Sequence, residues 1–171
     1  AASRELPGIS KISVQTGTAH GGFVGPDGKV RMDVKIDLVA LEELSRVARE
    51  SYGLGGAVQH GASTLNAEAF DAFPRVGACE IHLATNFQNM VYDHASFPAA
   101  LKAEMYEWIR QNAQEEKKAT DTDEQFLYKA RKKAIGPFKQ EMWSLGEDVR
   151  QAIAADLERT FAFLFEQLNV N

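Results

Sequence analysis

A single cysteine, Cys79, is all the chain offers for thiol chemistry. One thiol cannot close an internal disulfide, and no secretory signal pattern is visible in the sequence. A reducing, cytoplasmic setting is therefore expected. Long apolar runs are missing too. None approaches the roughly 20 residues that a membrane-spanning helix needs, so no membrane partner is expected. Positive charge is not in surplus: 19 Lys and Arg stand against 24 Asp and Glu, a net charge of −5. Such a balance gives no general attraction to phosphate backbones, and nucleic acid is not an expected partner. There is no internal repeat and no low-complexity tract. What is present is the ordinary make-up of a globular chain, with 44% hydrophobic and 25% charged residues over 171 positions. That is enough for one domain with a sizeable core.

The opening "AASRELPGIS" reads as the continuation of an earlier segment. "ISKISVQT" then alternates as a strand. "GTAHGGFVGPDGKVRMD" is Gly-rich, with a Pro-Asp-Gly turn, and reads as a long loop. A helix over 38–52 follows, capped by Asp37 and ended by Gly53, with Leu38, Leu41, Leu44 and Ala48 on its apolar face. "GGAVQH" is a second strand. "AEAFDAF" is a short helix, started by Ser63 or Asn66 and ended by Pro74. "ACEIHLA" is a third strand, running into a helix, "TNFQNMVYDH".

This alternation predicts an α/β fold of parallel strands with helical crossovers over about residues 1–110. Residues 111–171 read as a helical extension packing on that unit or on a partner. Three helical stretches belong to this latter part of the chain: "LKAEMYEWIRQNAQEEKK", "DTDEQFLYKARKKAIG" and "EDVRQAIAADLERTFAFLFEQL". Asp121 or Thr122 suits the N-cap of the second, and "EEKK" reads as a solvated helix end. Leu157, Phe161, Leu164, Phe165 and Leu168 make the strongest apolar stripe, read as core or as a subunit contact. Three strands close no barrel, and parallel strands need cover and paired edges. More strands are therefore expected from elsewhere.

The chemistry gathers at the strand ends. Of the four histidines, His20, His60 and His82 fall at the C-terminal end of an expected strand, where α/β folds carry their sites. Two of them precede glycine. Neutral imidazoles suit zinc and similar cations, and an adjacent glycine lets backbone approach a ligand. "GAS" at 61–63 and "HLAT" at 82–85 put backbone N–H groups and the Ser63 and Thr85 hydroxyls at strand-to-helix turns. Such turns can hold a phosphate dianion, although Ser63 and Thr85 also suit simple helix caps.

Taken in order, "ISVQTGTAHG", "VQHGASTL" and "EIHLATNFQN" resemble three consecutive motifs of the class II, metal-dependent fructose/tagatose-bisphosphate aldolase family. The resemblance covers roughly residues 9–110. It implies strands 6–8 of a (β/α)8 TIM barrel, followed here by a helical tail. It implies zinc held by His20 and His60, with a monovalent cation as a further candidate. Gly21, Gly61, Ala62, Ser63, Leu83, Ala84 and Thr85 fall on positions that hold a phosphorylated sugar. The implied reaction, part of carbohydrate metabolism such as glycolysis, is reversible aldol cleavage to dihydroxyacetone phosphate and an aldehyde.

Two departures stand out. His82 occupies a substrate-contacting position where the family usually has asparagine. The family's third zinc histidine and its proton-transferring aspartate form an Asp-His pair in the first half of the barrel. The only such pair here, Asp93-His94, lies on a helix. The expectation is a chain incomplete for catalysis, associating with a missing half-barrel or as a homo-oligomer. The alternatives are a catalytically silent aldolase-like subunit, or a phosphosugar-binding, isomerase-like protein using His82.

Overall fold

The computed structural model describes residues 8–19, 22–31 and 35–170. The chain is α/β. Strands β1 (Ile12–Val14), β4 (Ala57–Gln59) and β5 (Glu80–Ile81) form a parallel sheet in the order β1-β4-β5. Ile12 and Val14 pair with Ala57 and Gln59, and Gln59 pairs with Ile81. Because side chains alternate along a strand, this register places Ile12, Val14, Ala57, Gln59 and Ile81 on one face. Lys11, Ser13, Val58 and Glu80 share the other. The first face is the packed one, lying against Leu41, Phe73 and Leu164.

Helix α1 (Leu38–Tyr52) has the expected bounds. Asp37 accepts from the Ala40 N–H at 2.9 Å, and Gly53 closes the helix in the left-handed region. Its buried positions are Leu41, Ser45 and Ala48, one turn apart. Leu44, expected on that face, points outward instead. Ser45 takes the inward place and works as a polar staple. Its hydroxyl donates to the Gly77 carbonyl at 2.5 Å and accepts from the Ala57 N–H at 3.0 Å, fixing α1 against β4.

Two further expectations are corrected. The Gly-rich loop contains a two-residue antiparallel hairpin, β2 (Phe23–Val24) with β3 (Val30–Arg31). The stretch "AEAFDAF" is no single helix stopped by proline: a 3-10 turn precedes α2 (Ala72–Arg75), which contains Pro74. In the first turn of a helix the proline's missing N–H has no partner to lose. Helix α3 (Thr85–Tyr92) and α4 (Ala99–Asn112) follow. Then come α5 (Asp123–Ala130), an unanticipated α6 (Lys139–Trp143) and α7 (Glu147–Gln167). Thr122, not Asp121, caps α5, in a reciprocal box with Gln125.

A second core lies among the helices, built on Tyr92, Phe97, Met105, Ile109, Phe126 and Ile153. Helix α4, which runs across residue 110, contributes Met105 and Ile109 to it. Helix α7 serves both cores: Ile153 and Leu157 pack with the helices, Leu164 and Leu168 with the sheet. The expected stripe therefore splits. Phe161 and Phe165 stay 40% and 51% exposed, and Phe161 stacks on Phe87 at 4.7 Å. The hairpin is tied to the helical layer as well. Thr122 donates to the Pro26 carbonyl at 2.7 Å, and Gln125 to that of Val24 at 2.9 Å. Among the described residues no helix is long and apolar enough to cross a membrane.

Candidate functional site

Parallel strands put all their C-terminal ends at one edge, so the chain segments following β1, β4 and β5 meet there. The His60 N–H donates to the Val14 carbonyl at 2.9 Å, and the His82 N–H to that of Gln59 at 3.0 Å. These bonds extend the sheet's pattern one residue and set the two histidines side by side. Their rings meet at 63° with centroids 4.3 Å apart. A cavity of about 520 Å³ opens beside them, lined by His60, Gly61, Ser63, His82, Ala84 and Thr85, with Ile81 and Leu83.

The sequence-nominated residues thus separate into three groups. His60, Gly61, Ser63, His82, Leu83, Ala84 and Thr85 share one cavity. Ala62 is fully buried and belongs to the sheet core. Any role for it in binding falls to its backbone. His20 and Gly21 lie outside the described residues, as do Met32, Asp33 and Val34.

Gly61 sits at φ +72°, a left-handed conformation that glycine adopts without strain. A Cβ there would stand 2.8 Å from Thr18 Oγ1 and 3.0 Å from the Ala19 carbonyl group. The chain beside His20 therefore approaches the His60 loop closely. Ser63 Oγ accepts from the Ala84 N–H at 3.0 Å, joining the two nominated phosphate loops. Ser63 is therefore no cap for the 3-10 turn it sits in. The α3 N-terminus has no side-chain cap either, because Ala84 holds that position.

Sequence reasoning missed the residue under this site. Gln59 is fully buried in a strand otherwise made of Ala57 and Val58. Its amide donates to Thr18 Oγ1 at 2.9 Å and to the His60 carbonyl at 2.8 Å, and accepts from Thr16 Oγ1 at 2.9 Å. Thr18 in turn donates to the His60 carbonyl at 2.6 Å. The one signal available was an amide inside an apolar run. Glu80 was missed too. Its carboxylate receives both the Lys11 ammonium and His82 Nε2. The Lys11 contact first, then His82, hold the Glu80 carboxyl below the usual carboxylate range, and Glu80 raises Lys11 in return.

Asp93 and His94 take no part. Asp93 receives Arg131 through two bonds of 3.0 Å and Lys102 through one of 2.9 Å. His94 faces Asp156 at 3.4 Å through Nε2 and accepts from the Ser96 N–H at 3.0 Å through Nδ1.

Among the described residues no group of three or more His, Cys, Asp or Glu side chains converges as a metal site. The donors that do converge, two imidazoles on adjoining strand ends, are of the type zinc takes. Family models, curated proteins and solved structures contain no match to this chain.

Proposed function

We propose that the chain is the strand 6–8 portion of a class II, zinc-dependent ketose-bisphosphate aldolase barrel, carrying one side of its catalytic centre. One observation above all supports this reading. Two of the three motifs that resemble the family, "VQHGASTL" and "EIHLATNFQN", line one cavity that His60, Ser63 and Thr85 share, and the first motif reaches the His60 loop through Thr18. The helices that pack on the sheet lie against the face of Ile12, Val14 and Ala57, while Lys11, Ser13 and Glu80 project from the other. In this reading that second face is turned toward the interior of a larger barrel.

His20 and His60 hold the cation. Bound there, zinc supplies Lewis-acid polarisation of a substrate ketone. The chain's own residues do the positioning. The backbone of Gly61–Ser63 and the uncapped N–H groups at Thr85 receive the phosphate of dihydroxyacetone phosphate, and the Ser63–Ala84 bond fixes the spacing of the two loops. The proton-transferring Asp-His pair is assigned to a segment or second chain beyond these residues. A homo-oligomer or a complementary half-barrel is the partner that this division of labour requires.

The test is binding by the purified chain. Dihydroxyacetone phosphate, titrated with and without zinc and followed by phosphorus NMR, is expected to bind more tightly with the metal. His60→Ala should remove the zinc effect. Cleavage of a ketose bisphosphate by this chain alone should be negligible. Binding that ignores both zinc and His60 would sink the reading. Robust zinc-dependent turnover would overturn the assignment of the proton-transfer pair elsewhere.

A further inference from the structure

We propose that His82 is a ligand of the same cation as His60, and that Glu80 is the residue that positions it. The inference rests on the reading of His60 as a zinc ligand and adds a member to that shell.

His60 and His82 follow two neighbouring strands at matched register, so their rings must emerge together. Two imidazole nitrogens on a tetrahedral zinc lie roughly 3.3 Å apart, given Zn–N distances near 2.0–2.1 Å. Ring centroids 4.3 Å apart put the two imidazoles close enough for one nitrogen of each to reach a shared cation once the rings turn and part slightly. An imidazole that uses one nitrogen for a hydrogen bond keeps the other for a cation. His82 is arranged that way: Nε2 meets the Glu80 carboxylate, and Nδ1 remains. A carboxylate on the far nitrogen is the usual companion of a metal-bound histidine, because it fixes the ring and raises its basicity.

The rest of the constellation agrees. Glu80 opens β5 and His82 follows directly after its end, where its N–H continues the pairing to the Gln59 carbonyl, so the backbone sets the separation of the two side chains. Lys11, from β1's side of the sheet, forms an ion pair with that carboxylate and so holds it in place beside His82. His94 shows the contrast. It too faces a carboxylate, but its Nδ1 already accepts from Ser96 and its ring stands apart from His60. The proposal also accounts for the departure from the family's asparagine. His60 and His82 are then the two cation ligands that the described residues bring together.

The test uses the 171-residue chain and the metal alone. Zinc affinity is measured by competition with a chromophoric chelator, and Co²⁺ absorption reports ligand type and coordination number. His82→Asn is expected to weaken zinc at least tenfold and to reduce the intensity of the Co²⁺ band. Glu80→Gln, which keeps shape but removes the charge, should weaken zinc by about 10-fold, as loss of such companions does. His94→Asn should change neither readout. If His60→Ala abolishes zinc binding while His82→Asn keeps wild-type affinity and spectrum, the inference fails and the His60 reading stands. If the wild-type chain binds no zinc, both fail. Melting curves check that each variant is folded, and the exposed Glu80→Gln site keeps the proposal open to refutation should His82→Asn lose its fold.

Discussion

The Gln59 side-chain amide donates to Thr18 Oγ1 across 2.9 Å, joining the end of one strand to the loop beyond its neighbour. Thr18 lies two residues before His20, and Gln59 immediately precedes His60. The amide therefore fixes the spacing of the two chain segments that carry the nominated zinc histidines. It is also satisfied on every side, which is what permits an amide to be fully buried.

Replacing Gln59 by leucine keeps the volume and removes the clamp. Thr16 loses its acceptor, and Thr18 loses its donor. Leaving buried polar groups unpaired costs about 1–3 kcal/mol each. We expect Gln59→Leu to lower the unfolding free energy read from urea titration by about 1–3 kcal/mol for each group left unpaired, and to weaken zinc binding in parallel. A variant that lost stability but bound zinc as wild type would show that the clamp serves the fold only.

A pair of glycines separates strain from collision. Gly53 and Gly61 have nearly the same φ, +64° and +72°. A Cβ on Gly53 meets nothing within 4 Å, whereas one on Gly61 runs into Thr18 and Ala19. Gly53→Ala should therefore cost only the left-handed backbone term, about 1–2 kcal/mol. Gly61→Ala should cost clearly more, because the Ala19 backbone must move. It should also disturb ligand binding at the cavity, which Gly53→Ala should not. Equal losses in denaturant unfolding would refute the close approach of the two loops.

Much of this edge was legible in the residues because local rules decide it. Asp37 and Gly53 bound α1, and the His-Gly and Ala-Thr turns fall at the ends of apolar runs. The hairpin at Phe23–Val24 and Val30–Arg31 was not legible, since two-residue strands are too short to show a period. Gln59 gave no periodic signal either. The stripe on α7 misled for a different reason. A 3.6-residue period assumes one partner along the whole helix, but α7 passes from the helical core at Ile153 to the sheet core at Leu164. Between and beyond those anchors Phe161 and Phe165 face outward, and Phe161 finds Phe87 instead.

The second core has its own polar anchor. Arg131 is only 2% exposed, yet carries a full charge. Asp93 supplies the counter-charge, Asn89 a further acceptor, and the rings of Tyr92 and Tyr128 lie 5.3 and 4.5 Å from the guanidinium carbon. Breaking a buried pair costs about 3–5 kcal/mol, mostly from the charge left behind. Half of Asp93 is in water, so Asp93→Ala should cost somewhat less, about 2–3 kcal/mol after screening. The measurement is urea unfolding of Asp93→Ala beside Asp93→Asn, which keeps an acceptor and should lose less. Because the pair joins α3 to α5, loss of helical signal should accompany it before loss of the sheet. A change under about 0.5 kcal/mol would place the pair among ordinary surface contacts.

Tyr92 gives the fold an alkaline limit. Its ring is buried, and its hydroxyl donates to the Arg131 carbonyl at 2.9 Å. Burial pushes the phenol up to about 12 from an ordinary value of 10.0, against the opposing pull of the Arg131 charge. Ionisation would remove the donor and place a phenolate in the core. A group whose folded pKa is raised stabilises fully below its unfolded value and loses that contribution as pH climbs through the folded one. Stability should thus hold up to about pH 10 and fall between pH 10 and 12. Tyr92→Phe keeps the ring and has no proton to lose, so its stability should fall less steeply over that interval, although it starts lower for want of the hydrogen bond. Urea midpoints of both proteins across the interval decide it. Parallel slopes would show that the alkaline limit lies in another group.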